Sequence, residues 1–399
     1  MTNPILLCMM KRLYFGDCLD ILKILNKEHP EGFIDFIYID PPFNSKRDYN
    51  ILFESHDIIG DATAQKQAFA DTWSNISYLD TLHEIQEIDL DLYQFLTNLD
   101  SIRIPKSTVA YLTTMAIRIQ FMRRVLRDNG NFFLHCDSAM SHYLKMLCDI
   151  IFSEDNFRGE IIWKRASGFK RSTARKFPQK NDNILHYSKS EINTWNPQYK
   201  PHKPEYLKRF KVAEDGRLYR DDVNPTAGGT RVIYLEDVKG DLIDSVWTDI
   251  SPINPVAKER LGYPTQKPES LLERIIKAGS NEGDLVADFF CGCGTTITTA
   301  DRLNRNWIGV DISHLAIRLI KDRLTKPFRA NKEKVKKILS EIEIHGLPKD
   351  IGSARELAEQ TDAGRLAFQD WVIEVMLGGV SNIKKVADGG FDGYLTFNK

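Results

Sequence analysis

The chain has 399 residues, 42% hydrophobic and 27% charged, a balance that suits one large or two ordinary folded domains and excludes global disorder. The formal net charge of -1 carries no overall polyanion-binding signal, so any contact with nucleic acid must come from local basic clusters. Six scattered cysteines lack a four-ligand zinc spacing, and the one close pair, Cys291 and Cys293, sits in a glycine turn where small side chains fit; reduced thiols and a cytoplasmic location are expected, with no bound metal.

In chain order, Pro4 to Met10 is apolar but too short to span a bilayer, and the basic pair Lys11-Arg12 follows it rather than precedes it, so no membrane segment or targeting signal is expected. Lys11 to Gly16 reads as a short strand, with Asp17 placed to cap a helix through Leu25. Phe33 to Ile39 is an apolar run of strand length ending in Asp40-Pro41-Pro42-Phe43, where the prolines force the chain out of the sheet. Asn44 to about Pro105 is polar and weakly periodic, which suggests loops and short helices. Ser107 to Asp128 has apolar residues at helical spacing and is closed by Gly130. Asn131 to Cys136 is then a strand, and Asp137 or Ser138 caps a helix to Phe152. Ile161 to Trp163 and Asn183 to Tyr187 are further strands.

From Lys164 to about Pro255 the periodicity is lost, and between Arg158 and Lys211 basic residues outnumber acidic ones more than three to one. Order returns at Pro268, a suitable first helical residue, followed by the stripe Leu271, Leu272, Ile275 and Ile276. Lys332 to Lys337 is a charged, solvated helical stretch, and Asp362 can cap a further helix carrying Phe368 and Trp371. Alternating strands and helices predict an α/β fold, a mostly parallel twisted sheet with helices on both faces.

Two motifs carry chemistry. Leu285 to Phe289 reads as a strand, Phe290 to Gly294 as a turn and Thr295 to Leu303 as a helix, with Asp311 ending the next strand 17 residues after Gly294. That spacing is near the one at which an acid reaches ribose hydroxyls in Rossmann-like sheets. The single Gly-x-Gly leaves no seat for a pyrophosphate, which suits S-adenosylmethionine better than a dinucleotide. Asp288 is placed for the amino group of the methionine moiety. In the second motif, Asp40 can accept one hydrogen bond from an exocyclic amine and a carbonyl of the Pro41-Pro42 turn another, leaving the nitrogen lone pair free to attack a methyl group. Phe43 offers a face for an extruded base. Alone, each motif could be an ordinary strand-ending turn; together they point to methyl transfer onto a nucleobase.

With these residues in hand, the chain resembles a β-class amino-methyltransferase of DNA, of the adenine-N6 kind found in restriction-modification systems and close to the Mod subunits. The resemblance rests on Tyr38 to Asn44, Phe133 to Asp137, Ile161 to Lys164, Tyr263 to Pro268, Ala287 to Thr296 and Trp307 to Ser313. It implies a Rossmann-like methyltransferase using S-adenosylmethionine, with Thr265, Gln266 and Lys267 joining Asp288, Phe290, Gly292, Gly294, Thr295 and Asp311 at the cofactor. It also implies a catalytic half over 11–163, a target-recognition region over 164–255, a cofactor half over 256–326 and a C-terminal extension over 327–399. Arg165, Lys170, Arg171, Arg175 and Lys176 then become candidates for phosphates or guanine edges of double-stranded DNA, with Phe169, Phe177 and Tyr187 as aromatics that pack or wedge. Phe43 and Phe289 depart from the tyrosine and proline common at those places. A leading aspartate favours adenine; cytosine-N4 methylation and a non-catalytic DNA-binding specificity subunit are the alternatives. A homodimer and a separate restriction subunit are the partners such proteins have. Asp388 to Gly393, with Asp392, resembles the first metal-binding strand of a restriction endonuclease, without the later Glu/Gln-x-Lys that completes a magnesium site, so no nuclease activity is expected from it.

Overall fold

The computed structural model describes residues 10–42, 78–165, 175, 177–223, 228–254, 256–257, 259–261, 263, 265–346, 368–369, 372–373, 380–381 and 393–394. Its elements begin with β1 (Lys11–Phe15), α1 (Cys18–Glu28), β2 (Ile34–Ile39), α2 (Tyr78–Ile88), α3 (Leu90–Ser101), α4 (Lys106–Val125), β3 (Leu126–Asp137), α5 (Ser141–Phe152), β4 (Phe157–Lys164) and β5 (Asn181–Ser188). They continue with β6 (Tyr199–Lys200), α6 (Pro204–Leu207), β7 (Lys211–Val212), β8 (Leu218–Val223), β9 (Thr230–Tyr234), β10 (Asp241–Leu242) and β11 (Val246–Trp247). The later ones are α7 (Glu269–Gly279), β12 (Leu285–Asp288), α8 (Thr295–Arg302), β13 (Asn306–Asp311), α9 (His314–Thr325), α10 (Lys332–Ser340) and β14 (Glu343–His345).

Nine strands form one sheet in the order β11-β4-β5-β3-β2-β12-β13-β1-β14. Only β5 runs against its neighbours, β3 and β4; the other adjacent pairs are parallel. A parallel sheet is covered on both faces, so its central strands are predominantly apolar. All six residues of β2 and of β13 are buried accordingly. Alternation along β1 assigns the two faces. Tyr14 joins the core of Leu22, Leu25 and Met115 from α1 and α4, while Leu13 and Ile297 of α8 both crowd the place where Gly309 lacks a Cβ. A buried acid locks the register: Asp35 accepts from Leu285 N at 2.8 Å and from Arg127 Nη1 at 2.7 Å, tying β2 to strands on either side.

Several boundaries differ from the sequence reading. The polar region before Pro105 contains two full helices, α2 and α3, whose Leu82, Ile85, Leu92 and Leu96 are buried. Helix α4 stops at Val125 rather than Asp128, because Phe33 N claims the Val125 carbonyl at 2.9 Å and Leu126 already pairs with Ile34. Gly130 therefore lies within β3, not at a helix end. Asp137 accepts from Ala139 N and Met140 N in a turn, and α5 starts later, at Ser141. Pro268 precedes α7 as its cap and Glu269 is the first helical residue.

The chain divides into two compact units, of which the smaller is Trp195–Ser245. Within that unit, β7, β8 and β9 form an antiparallel sheet and β10 pairs with β6. Cations over rings hold it together: Arg217 lies 3.9 Å from the Tyr234 centroid and Arg220 lies 5.0 Å from that of Tyr206. In the tail, Val380–Ser381 pairs antiparallel with Gly393–Tyr394; Asp362, Trp371, Asp388 and Asp392 lie outside the described residues.

Candidate active site

Parallel strands deliver their C-terminal ends to one edge, where an α/β sheet binds ligands. Here that edge carries Gly16-Asp17 after β1, Asp311 at the end of β13, Asp288 at the end of β12, Asp40 after β2 and Asp137 at the end of β3. β12 pairs directly with β2, Ala287 opposite Ile37, so the glycine turn and the Asp-Pro-Pro turn emerge side by side.

The glycine turn is built by two buried carboxylates. Asp288 accepts from Phe290 N at 3.0 Å and from Thr296 Oγ1 at 2.6 Å; Asp311 accepts from Gly292 N and Ser313 N, both at 2.8 Å. Burial lifts Asp288 to about 7, with the charges of Asp40 and Asp311 adding to the push against its two hydrogen bonds. Burial likewise lifts Asp311 to about 6. Gly294 has φ +75°, and a Cβ there would stand 2.3 Å from Ile320 Cγ1. Gly292 has φ +48°, and its missing Cβ leaves room for the ring of Tyr263, which lies against the turn. Arg323 braces the turn from behind, donating to the Cys293 carbonyl at 2.9 Å, to Thr295 Oγ1 at 3.2 Å and to Glu269 Oε1 at 2.8 Å. Cys291 and Cys293 are buried thiols raised above their ordinary range by that burial.

A concavity at this edge is lined by Gly16, Asp17, Cys18, Thr114, Met115, Arg118, Phe289, Phe290, Asp311 and Ile312. Asp17 accepts from Leu19 N at 2.7 Å and from Arg118 Nη2 at 2.7 and 2.9 Å. The sequence reading gave Asp17 only a capping role and passed over Arg118 and Arg323. The signal for the first was present, an acid directly after a strand; the arginines lie on helices far along the chain, and nothing local marks them.

The catalytic turn follows β2. Asp40 is partly exposed, Pro41 buried and Pro42 partly exposed; Phe43 lies outside the described residues. Lys267 pairs its ammonium with Asp40 Oδ2 and donates to the Thr265 carbonyl at 3.3 Å. Gln266 holds its own loop, accepting from Leu261 N at 2.9 Å and donating to the Glu259 carbonyl at 2.7 Å. Behind Asp40 runs a buried polar chain. Tyr38 Oη meets His135 Nδ1 at 2.8 Å, His135 Nε2 meets Asp182 Oδ2 at 3.2 Å, and Arg165 Nε stands 3.0 Å from Asp182 Oδ1. Burial pushes the Asp182 carboxyl up, but His135, Arg165 and Lys267 outweigh it and hold the group below its ordinary value.

Of the basic cluster, Arg165 is thus engaged with a buried acid and Arg175 is exposed; Lys170, Arg171 and Lys176, with Phe169, lie outside the described residues. Phe177 is almost wholly exposed. Tyr187 is a core residue instead: it stacks with Phe152 and donates to Asp149 Oδ1 at 2.7 Å. Among the described residues no helix is long and apolar enough to cross a membrane.

A family described as DNA methylase matches residues 34–322. Type II methyltransferase M.EcaI of Enterobacter cloacae is 30% identical over 259 residues, covering 54% of this chain and 57% of its own. Type II methyltransferase M.BamHI of Bacillus amyloliquefaciens is 27% identical, covering 83% of this chain and 60% of its own. The Mod subunit of the type III restriction-modification enzyme StyLTI of Salmonella typhimurium is 26% identical, covering 72% and 49%. The chain therefore spans between about half and three-fifths of the length of these relatives. With the match running from β2 through both turns into α9, the chain belongs to the DNA methylase family.

Proposed function

We propose that this protein transfers a methyl group from S-adenosylmethionine to the N6 amine of adenine in duplex DNA, extruding the base to reach it. The reading is carried by the adjacency of β2 and β12, which sets an amine-accepting turn beside a glycine turn. The residues present fit the cofactor. Asp311 and Asp17 supply acceptors at a concavity walled by Phe290 and Met115, and Gly292 and Gly294 allow close backbone approach. Asp288, Thr295, Thr265 and Gln266 complete the proposed cofactor shell. Bound there, the cofactor supplies an electrophilic methyl on a sulfonium.

The chain's own residues do the rest. Asp40 accepts one N–H of the amine and the Pro41 carbonyl the other, which favours a pyramidal nitrogen with its lone pair directed at the methyl. The proton that the alkylated nitrogen sheds is the one held toward Asp40. Pro42 keeps the turn rigid and Phe43 stacks on the base. Lys170, Arg171, Arg175 and Lys176 are the proposed contacts to phosphates or base edges, Arg165 being taken up by Asp182. The name of the StyLTI relative supports a separate restriction subunit as a partner, and a homodimer is the assembly proposed.

Asp40→Ala is expected to keep cofactor binding and to lose methyl transfer by at least about 100-fold. Digestion of treated DNA to nucleosides, followed by mass spectrometry, reads the product. N4-methylcytosine would move the reading to the cytosine enzymes. Cofactor binding without transfer, unchanged by the substitution, would make the chain a non-catalytic specificity subunit.

A further inference from the structure

We infer that Lys267 is a positioning residue for the catalytic carboxylate: by holding Asp40 Oδ2 it turns Oδ1 toward the amine, and it serves the base side of the site instead of the cofactor. The inference rests on the methyl-transfer reading of Asp40. Its ground is the ion pair between residues 227 positions apart, with both side chains largely buried, at 10% and 16% exposure. A carboxylate has two oxygens; one is engaged by the ammonium, which a second donation to the Thr265 carbonyl at 3.3 Å fixes in place.

The surroundings explain the need for a cation there. Asp40, Asp182 and Asp288 gather around buried Tyr38, whose phenol is pushed well above its ordinary range by burial and then by those three charges. Arg165 stands against Asp182, and His135 bridges Asp182 to Tyr38. Lys267 pairs with Asp40 and also acts on Asp182. Without it, three like charges repel in a poorly solvated site, and Asp40, at the start of a turn and partly exposed, is the one with a way out to solvent. An acceptor that swings away no longer meets the amine. Misplacement of a reacting group by about 1 Å costs about 100-fold in rate.

The test uses the full chain and compares Lys267→Met, Lys267→Gln and Lys267→Arg. Single-turnover methylation at saturating DNA and cofactor is expected to fall about 100-fold in the first two and to return within about tenfold of wild type in Lys267→Arg, which keeps the charge. Cofactor affinity, measured by calorimetry, is expected to stay within about threefold. A cofactor affinity lowered tenfold or more with an unchanged saturated rate would make Lys267 a cofactor ligand and overturn the inference. A rate that holds or rises in Lys267→Met would overturn it too, as would failure of Lys267→Arg to recover activity above Lys267→Gln. Should Lys267→Met not fold, Lys267→Gln against Lys267→Arg carries the comparison. Amine labelling read by mass spectrometry separates this pair from the reaction. Lys267 in the wild-type protein should label more slowly than in Asp40→Asn, and equal labelling would remove the pair. Absence of methyl transfer by the wild-type protein, with protected Lys267, would instead count against the methyl-transfer reading.

Discussion

Asp288→Asn in the cofactor-free protein isolates one large electrostatic cost in the site. Burial carries this carboxyl from an ordinary 3.8 to about 7, against its bonds from Thr296 and Phe290 and with the charges of Asp40 and Asp311 adding to the rise. Between those two values the folded chain keeps a proton that the unfolded chain has lost. Stability therefore falls as pH rises from about 4 to about 7, by about 4 kcal/mol from this group. Asparagine keeps an oxygen for Phe290 N and has no charge to bury. Its urea-unfolding free energy should therefore fall by about 4 kcal/mol less than that of the wild type over the same window. Asp311, at about 6, acts in the same sense in both proteins and adds the same decline to each. Denaturation curves at fixed ionic strength from about pH 4 to about pH 8, which take in the window between the two values, make the measurement. Parallel declines in the two proteins would refute the reasoning, since Asp288 would then ionise in the folded chain at no cost.

Two further outcomes are expected. Gly294→Ala adds a Cβ 2.3 Å from Ile320 Cγ1 at a left-handed backbone position, so it should lower stability by about 2–5 kcal/mol and weaken cofactor binding, as read by calorimetry. Replacing Arg171 and Arg175 with alanine should weaken DNA binding and reduce the slope of log affinity against log salt by about 2, since each phosphate left without its cation accounts for about 0.9; an unchanged slope would remove both from the interface.

The sheet was legible because its strands are buried on both faces and so appear as largely apolar runs, Ile34–Ile39 interrupted only by Asp35 and Asn306–Asp311 polar only at its ends. The family was legible because its motifs are contiguous. What stayed hidden depends on tertiary contact. Asp17 and Arg118 are 101 positions apart, Arg165 meets Asp182 across a hairpin, and Lys267 reaches a turn at the other end of the chain. Short helices were expected before Pro105, but α2 and α3 could not be placed because each buries only two side chains completely and the apolar stripe is correspondingly thin. The end of α4 is set by a strand pairing with Ile34 that no local propensity announces.

The strand order also bears on synthesis. β1 is made long before its sheet neighbours β13 and β14, and β2 long before β12. Pairings of such long sequence separation are slow to form and leave apolar edges open meanwhile. A nascent chain that has not yet produced Leu285–Asp311 holds Asp40 without the glycine turn beside it, so the pocket cannot assemble until those strands have been made.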